Sequence, residues 1–162
     1  MFCRATLAAM RVRKDLEEIT DTKSSAGIAT TTVDYCTPDL LTLHITLHME
    51  TGIYMGASFT FVIEVPANYP FTAPRVTSTG RIWHPSVHLT TGCVRLPILE
   101  ADWRPVLTIH TVVFALQLML LEPSHEYPAN DAAAAAALST PDVFREQVRC
   151  TLRGGWFVGH EF

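Results

Sequence analysis

Leu41 to Val65 reads LTLHITLHMETGIYMGASFTFVIEV. Leu41, Leu43, Ile45, Leu47 and Met49 alternate with Thr42, His44, Thr46 and His48. A period of two puts the first set on one face of a half-buried strand and the second on the other. Thr51-Gly52 reads as a turn, and Phe59, Phe61, Ile63 and Val65 restart the alternation. Ala29–Tyr35 before this stretch and Arg75–Ser78 after it are weaker strand candidates. Strand follows strand with no helix between them. That order predicts a four-stranded antiparallel meander and not a βαβ array. His44 and His48 fall on the exposed face. No carboxylate or thiol joins them at ligand spacing, so they read as solvated histidines and no metal site is expected.

Working outward, Ala9, Val12, Leu16 and Ile19 recur at helical spacing and predict an N-terminal helix. Arg11, Arg13, Lys14 and Glu17 fall between them and are expected to face water, either as a solvated face or as a basic docking surface. Thr20 to Gly27 is a polar loop. Downstream of the strands, Pro66, Pro70, Pro74, Pro85, Pro97 and Pro105 crowd one segment. Proline cannot donate to a sheet ladder, so this is ordered irregular backbone, and a long structured loop in a compact domain is usually functional. Ile109, Val112, Val113, Leu116 and Leu120 predict a helix apolar almost all round, hence central and buried. Ala132–Ala137 predicts a short helix. Thr140 as cap and Pro141 in the first turn open a last helix, with Phe144, Val148 and Leu152 inward and Gly154-Gly155 stopping it. Helix, meander, proline-rich loop and helices make an α+β chain, expected to form one domain over 1–162 with a core of about 6–157.

Composition narrows the function. The 162 residues carry 12 Lys and Arg against 16 Asp and Glu, a formal charge of −4, with 48% hydrophobic and 17% charged residues. Such a chain can bury a core and is not intrinsically disordered. The acidic balance argues against nucleic-acid binding, which needs a basic face. No apolar run reaches the roughly 18 residues of a membrane span, and Met1–Met10 lacks a secretory apolar stretch. Cys3, Cys36, Cys93 and Cys150 lie far apart without a CxxC pair, which suits a reducing compartment. Cys3, Cys36 and Cys150 read as structural or free thiols.

Several motifs then recur in order: Asn68-Tyr69-Pro70-Phe71 with Pro74, Ile82-Trp83-His84-Pro85, Gly92 to Leu99, Trp103 to Leu107, and Leu121-Glu122-Pro123. Together, from about Arg11 to Phe157, they resemble the ubiquitin-conjugating enzymes, the middle enzymes of ubiquitin and ubiquitin-like cascades. The resemblance implies the UBC fold, no cofactor, and a cytoplasmic or nuclear protein. Within the family, Arg11-Val12-Arg13-Lys14-Asp15, Asp102 to Ile109 and Arg153-Gly154-Gly155-Trp156 resemble the neddylation conjugating enzymes. Leu152-Arg153-Gly154-Gly155 also looks like the tail of ubiquitin. That chemistry needs a free terminal glycine, and seven residues follow Gly155 here.

The family carries its modifier as a thioester on a cysteine, because a thiolate is strongly nucleophilic and a thioester is an activated acyl donor. The family pattern puts that cysteine after Gly-x-Val and before Leu. This chain reads Gly92-Cys93-Val94-Arg95-Leu96, with Arg95 at that position. A guanidinium stays protonated and cannot form a thioester. The family's His-Pro-Asn is His84-Pro85-Ser86 here, and losing an oxyanion donor typically costs on the order of 10²–10³ in rate, although a serine can still donate. The acidic residue that orients the incoming lysine corresponds to Tyr127, with Glu126 next to it. The expectation is a kept fold and lost thioester chemistry.

Two readings follow. One is an inactive variant that binds a modifier, an activating enzyme, a ligase or an active relative. The other is a working enzyme, through Cys93 or through a natural cysteine at 95 if Arg95 is engineered. Cys93 faces the same way as residue 95 in extended backbone, and a nearby arginine favours its thiolate, but the sulfur is displaced by about 6–7 Å. By resemblance, Phe71 with Arg104-Pro105-Val106 forms the ligase-contacting patch, and Arg11, Arg13 and Lys14 dock the activating enzyme. No Ser-His-Asp arrangement or phosphate-binding glycine loop points to another enzyme class.

Overall fold

A computed structural model describes residues 4–21 and 27–162. Cys3 and most of the polar loop expected over Thr20–Gly27 fall outside the described residues. The helix α1 (Arg4–Asp21) is followed by β1 (Ala29–Cys36), β2 (Thr42–Met49), β3 (Ser58–Glu64) and β4 (Arg75–Ser78), paired antiparallel in the order β1-β2-β3-β4. Val33 lies opposite Ile45, Ile45 opposite Phe61, and Ile63 opposite Val76. That register stacks the apolar residues of the alternation on one face, where Leu43, Ile45, Leu47, Met49, Phe61, Ile63 and Val76 are buried. His48 lies on the outer face, bonded to Ser58, and His44 is half-buried there.

The proline-rich segment is irregular apart from β4 and a single 3-10 turn at Pro97–Leu99. Then come α2 (Ile109–Leu121), α3 (Asp131–Ser139), α4 (Pro141–Leu152) and a two-stranded hairpin of β5 (Trp156–Phe157) and β6 (His160–Glu161). The observed architecture is the α+β one expected, with the α2 residue Gln117 donating to Thr31 of β1 at 2.8 Å.

The structure corrects several details. The buried line of α1 is Ala8, Val12, Asp15 and Ile19, with Leu16 only half-buried. Asp15 is tolerated inside because Arg11 Nε (2.9 Å), the Ile109 amide (3.1 Å) and the Tyr69 hydroxyl all donate to it. Arg11 is therefore held against Asp15 instead of standing free in water. Phe114 and Leu118 of α2 reach solvent, so that helix is not covered all round. Leu152 faces out and Thr151 takes the inner place on α4, its hydroxyl satisfied by the Val148 carbonyl at 2.9 Å. Thr140 makes no side-chain cap to α4; its hydroxyl donates back to Ala136 of α3. The β5-β6 hairpin was not expected. Its Phe157 meets Trp83 edge-on at 4.9 Å, which seats the hairpin on the loop before His84.

Candidate functional site

Two backbone ladders build the site. Residues 86–88 pair with 93–95: the Cys93 carbonyl accepts from the His88 amide (2.9 Å) and the Ser86 carbonyl accepts from the Arg95 amide (2.9 Å). On its other side the second arm extends the sheet edge, with Thr77 opposite Cys93 and the Val94 amide donating to Val76 at 3.0 Å. Gly92 makes the turn into that arm at φ 70°. A Cβ there would stand 2.3 Å from the Ser78 carbonyl oxygen, so only glycine fits.

His84 lies beneath this hairpin and is fully buried. Its Nδ1 accepts the Ser86 amide at 2.9 Å and its Nε2 donates to the Met119 carbonyl at 2.9 Å. Those partners fix the tautomer, and burial pushes the imidazole down to about 4, against a smaller opposing effect of the Met119 carbonyl. His84 is thus a neutral strut between the loop and α2, and it lines no part of the cleft beside Cys93. Ser86 is buried as well. The Pro85 carbonyl accepts the amides of Ala129 (2.8 Å) and Asn130 (2.9 Å), which clamps the segment after α2 against the hairpin.

Arg95 crosses this junction on the surface. Its Nε and Nη2 grip the two Glu100 oxygens at 2.9 and 3.2 Å, and Nη1 donates to the Pro128 carbonyl at 3.2 Å. The Arg95 hydrogen bond holds the Glu100 carboxyl below its usual range, and Glu100 in turn raises the guanidinium. Tyr127, one residue before Pro128, is exposed, as is Glu126. Cys93 is a free, half-buried thiol lining a cleft of about 360 Å³ together with Pro74, Arg75, Arg95 and Glu100. The other described cysteines, Cys36 and Cys150, are free and line no part of this cleft. Arg95 thus joins the hairpin to Pro128, the residue after the exposed Tyr127. Glu100 and the Pro128 carbonyl were missed; an acidic residue five positions after Arg95 was the available signal. Among the described residues no group of three His, Cys, Asp or Glu could hold a metal ion. No described helix is long and apolar enough to cross a membrane.

A second surface collects the remaining candidates. Trp103 Nε1 donates to the Pro70 carbonyl at 2.7 Å, tying the loop of Phe71 to that of Arg104, Pro105 and Val106. Phe71 and Val106 stand out from these loops, 78% and 77% exposed. Arg104 is folded back, its Nη1 donating to the carbonyls of Ala101 and Trp103 at 3.1 and 2.8 Å. Leu7 of α1 lines a cavity of about 390 Å³ with Tyr69 and Phe71, so the helix start belongs to this surface, which the sequence reading missed. Arg13 and Lys14 are exposed further along α1.

In sequence and in fold the chain is similar to known proteins. A family described as ubiquitin-conjugating enzyme matches residues 11–152. The NEDD8-conjugating enzyme Ubc12 of Dictyostelium discoideum is 36% identical over 159 residues, which cover 98% of this chain and 66% of that protein. Its counterpart in Schizosaccharomyces pombe is 34% identical over 155 residues, covering 96% and 84%. The solved structure of S. cerevisiae Ubc12 superposes with a TM-score of 0.80 at 28% identity, covering 97% of this chain and 83% of that one.

Proposed function

The chain belongs to the ubiquitin-conjugating enzyme family, and from that premise we propose that it is a neddylation-type homologue that carries no thioester of its own. In this reading one conjugating-enzyme domain works by occupying partners: the ubiquitin-like modifier, the activating enzyme, a ligase or an active relative. The carrying observation is the Arg95 fork. The family pattern quoted above puts the acyl-carrying cysteine at 95, and here the guanidinium at that position is held by both Glu100 oxygens and by Pro128. A permanently charged group in that place offers no sulfur, and it donates to the Pro128 carbonyl next to Tyr127. Ser86 and Tyr127, in place of the amide and carboxylate expected by resemblance, support the same reading. Binding surfaces do not depend on the thiol, and the exposed Phe71 and Val106 beside ordered loops make hydrophobic anchors.

Cys93 supports the alternative, because it lines the same cleft as Arg95. Its sulfur starts about two strand residues from the expected position, and a misplacement of about 1 Å can already cost 10²-fold.

The test is a charging reaction with activating enzyme, ATP and either ubiquitin or the NEDD8-type modifier, resolved without reductant. The expected result is no reductant-sensitive shift for the natural chain and a restored shift for Arg95→Cys. A shift in the natural chain that disappears in Cys93→Ser would replace this proposal with an active enzyme using Cys93.

A further inference from the structure

On the side of the molecule formed by the β2–β3 turn and α4, a groove of about 630 Å³ opens. One wall is the outer face of α4. Arg145 and Arg149 on that face and Arg153 at the helix's C-cap recur every four residues, so they follow one another about 6 Å apart along the axis. The opposite wall and floor are apolar: Ile53 and Met55 from the turn, Leu121 from the end of α2, and Leu152 between the arginines. Met55 is 68% exposed and Leu152 40% exposed, so this apolar lining is open to solvent. No carboxylate lines the groove. Arg145 and Arg149 each touch one acidic neighbour on their own helix, Asp142 at 3.3 Å and Glu146 at 3.4 Å, and both pairs are exposed. Such contacts are weak and readily exchanged for a better partner. A chain of net charge −4 thus gathers three of its 12 cations along one concave, greasy groove.

The geometry points to a docking site for an extended acidic peptide segment of a partner protein, with carboxylates at alternate positions and apolar residues between them. Side chains at i, i+2 and i+4 of a strand lie on one face about 6.6 Å apart, which matches the arginine row. The intervening apolar side chains then turn toward Met55, Ile53 and Leu121. A nucleic acid backbone would meet the arginines but offers no aliphatic side chains to fill the wall of Ile53, Met55 and Leu121. A membrane needs a flat or convex apolar face, and this one is concave. The site shares no lining residue with the Cys93 cleft or with the Phe71 surface, so it stands whether or not the chain carries a thioester.

The test is fluorescence anisotropy with a labelled six-residue peptide alternating glutamate and leucine, against the full chain. The controls are hexaglutamate and an alternating lysine-leucine peptide. Saturable binding is expected, weakened at least tenfold by R145A/R149A/R153A and severalfold by M55S, while the lysine-leucine peptide does not bind. All four positions are exposed, and an unchanged circular dichroism spectrum will verify that the variants fold. Absence of saturable binding overturns the proposal. So does equal affinity of the triple variant, equal binding of hexaglutamate, or displacement of the peptide by duplex DNA or by anionic vesicles at lower concentration, which would make the groove a general polyanion site.

Discussion

Acidification should destabilise the fold through His84. The ring is fully buried, its Nδ1 is occupied by the Ser86 amide, and burial lowers its pKa to about 4. A histidine in the unfolded chain titrates near 6.5. Between those values the unfolded state holds more protons, so stability rises with pH across the window. The contribution is fully present above about 6.5 and is lost as pH falls toward about 4. Integrating over the two titrations gives a loss of about 2–3 kcal/mol between pH 7.5 and 4.5. The assay is urea unfolding of the natural chain and His84→Gln at pH steps between those limits. The carboxylates act in both proteins, so the difference between the two profiles isolates the imidazole. That difference should shrink by about 2–3 kcal/mol toward acid. Parallel profiles, or an NMR titration in which the buried ring protonates near 6.5, would refute the reasoning.

Removing the buried carboxylate with Asp15→Ala strands the Arg11 guanidinium, the Tyr69 hydroxyl and the Ile109 amide, and should cost about 3–5 kcal/mol in urea unfolding. Tyr69→Phe removes only one of those donors and should cost about 1–2 kcal/mol. Gly92→Ala places a Cβ 2.3 Å from the Ser78 oxygen at positive φ, and a loss of about 3 kcal/mol is expected, read as a fall in the thermal midpoint.

Much of the fold was legible because the sheet has one buried face, and there a one-residue error of register would turn Leu43, Ile45 and Leu47 into water. The α1 and α4 faces were misread by a residue because helical spacing alone cannot rank neighbours of similar position. Asp15 wins its buried place through partners 54 and 94 residues away, which no local pattern contains. The terminal hairpin escaped for a similar reason: two-residue strands leave no periodicity, and Phe157 is held by Trp83 far up the chain. At the candidate site, residue types were legible and directions were not. His84 stands in the motif that marks the site, but its two ring nitrogens are engaged by Ser86 and Met119.

Position 95 is held by its backbone, and this decides how its side chain can be tested. The Arg95 amide donates to Ser86, its neighbour Val94 donates to Val76, and the Pro85 carbonyl independently clamps residues 129 and 130. Every strand of the junction is therefore anchored without the guanidinium. The fork to Glu100 is an exposed ion pair, and its loss costs little because water solvates both groups. Arg95→Cys should accordingly leave the thermal midpoint within about 2 °C of the natural chain, measured by calorimetry. If the midpoint holds, a gain of charging in that variant is attributable to the sulfur alone, because the hairpin beneath it is unchanged. If the midpoint falls by much more, Arg95 is a structural pin in its own right, and this account of a junction anchored by its main chain is wrong.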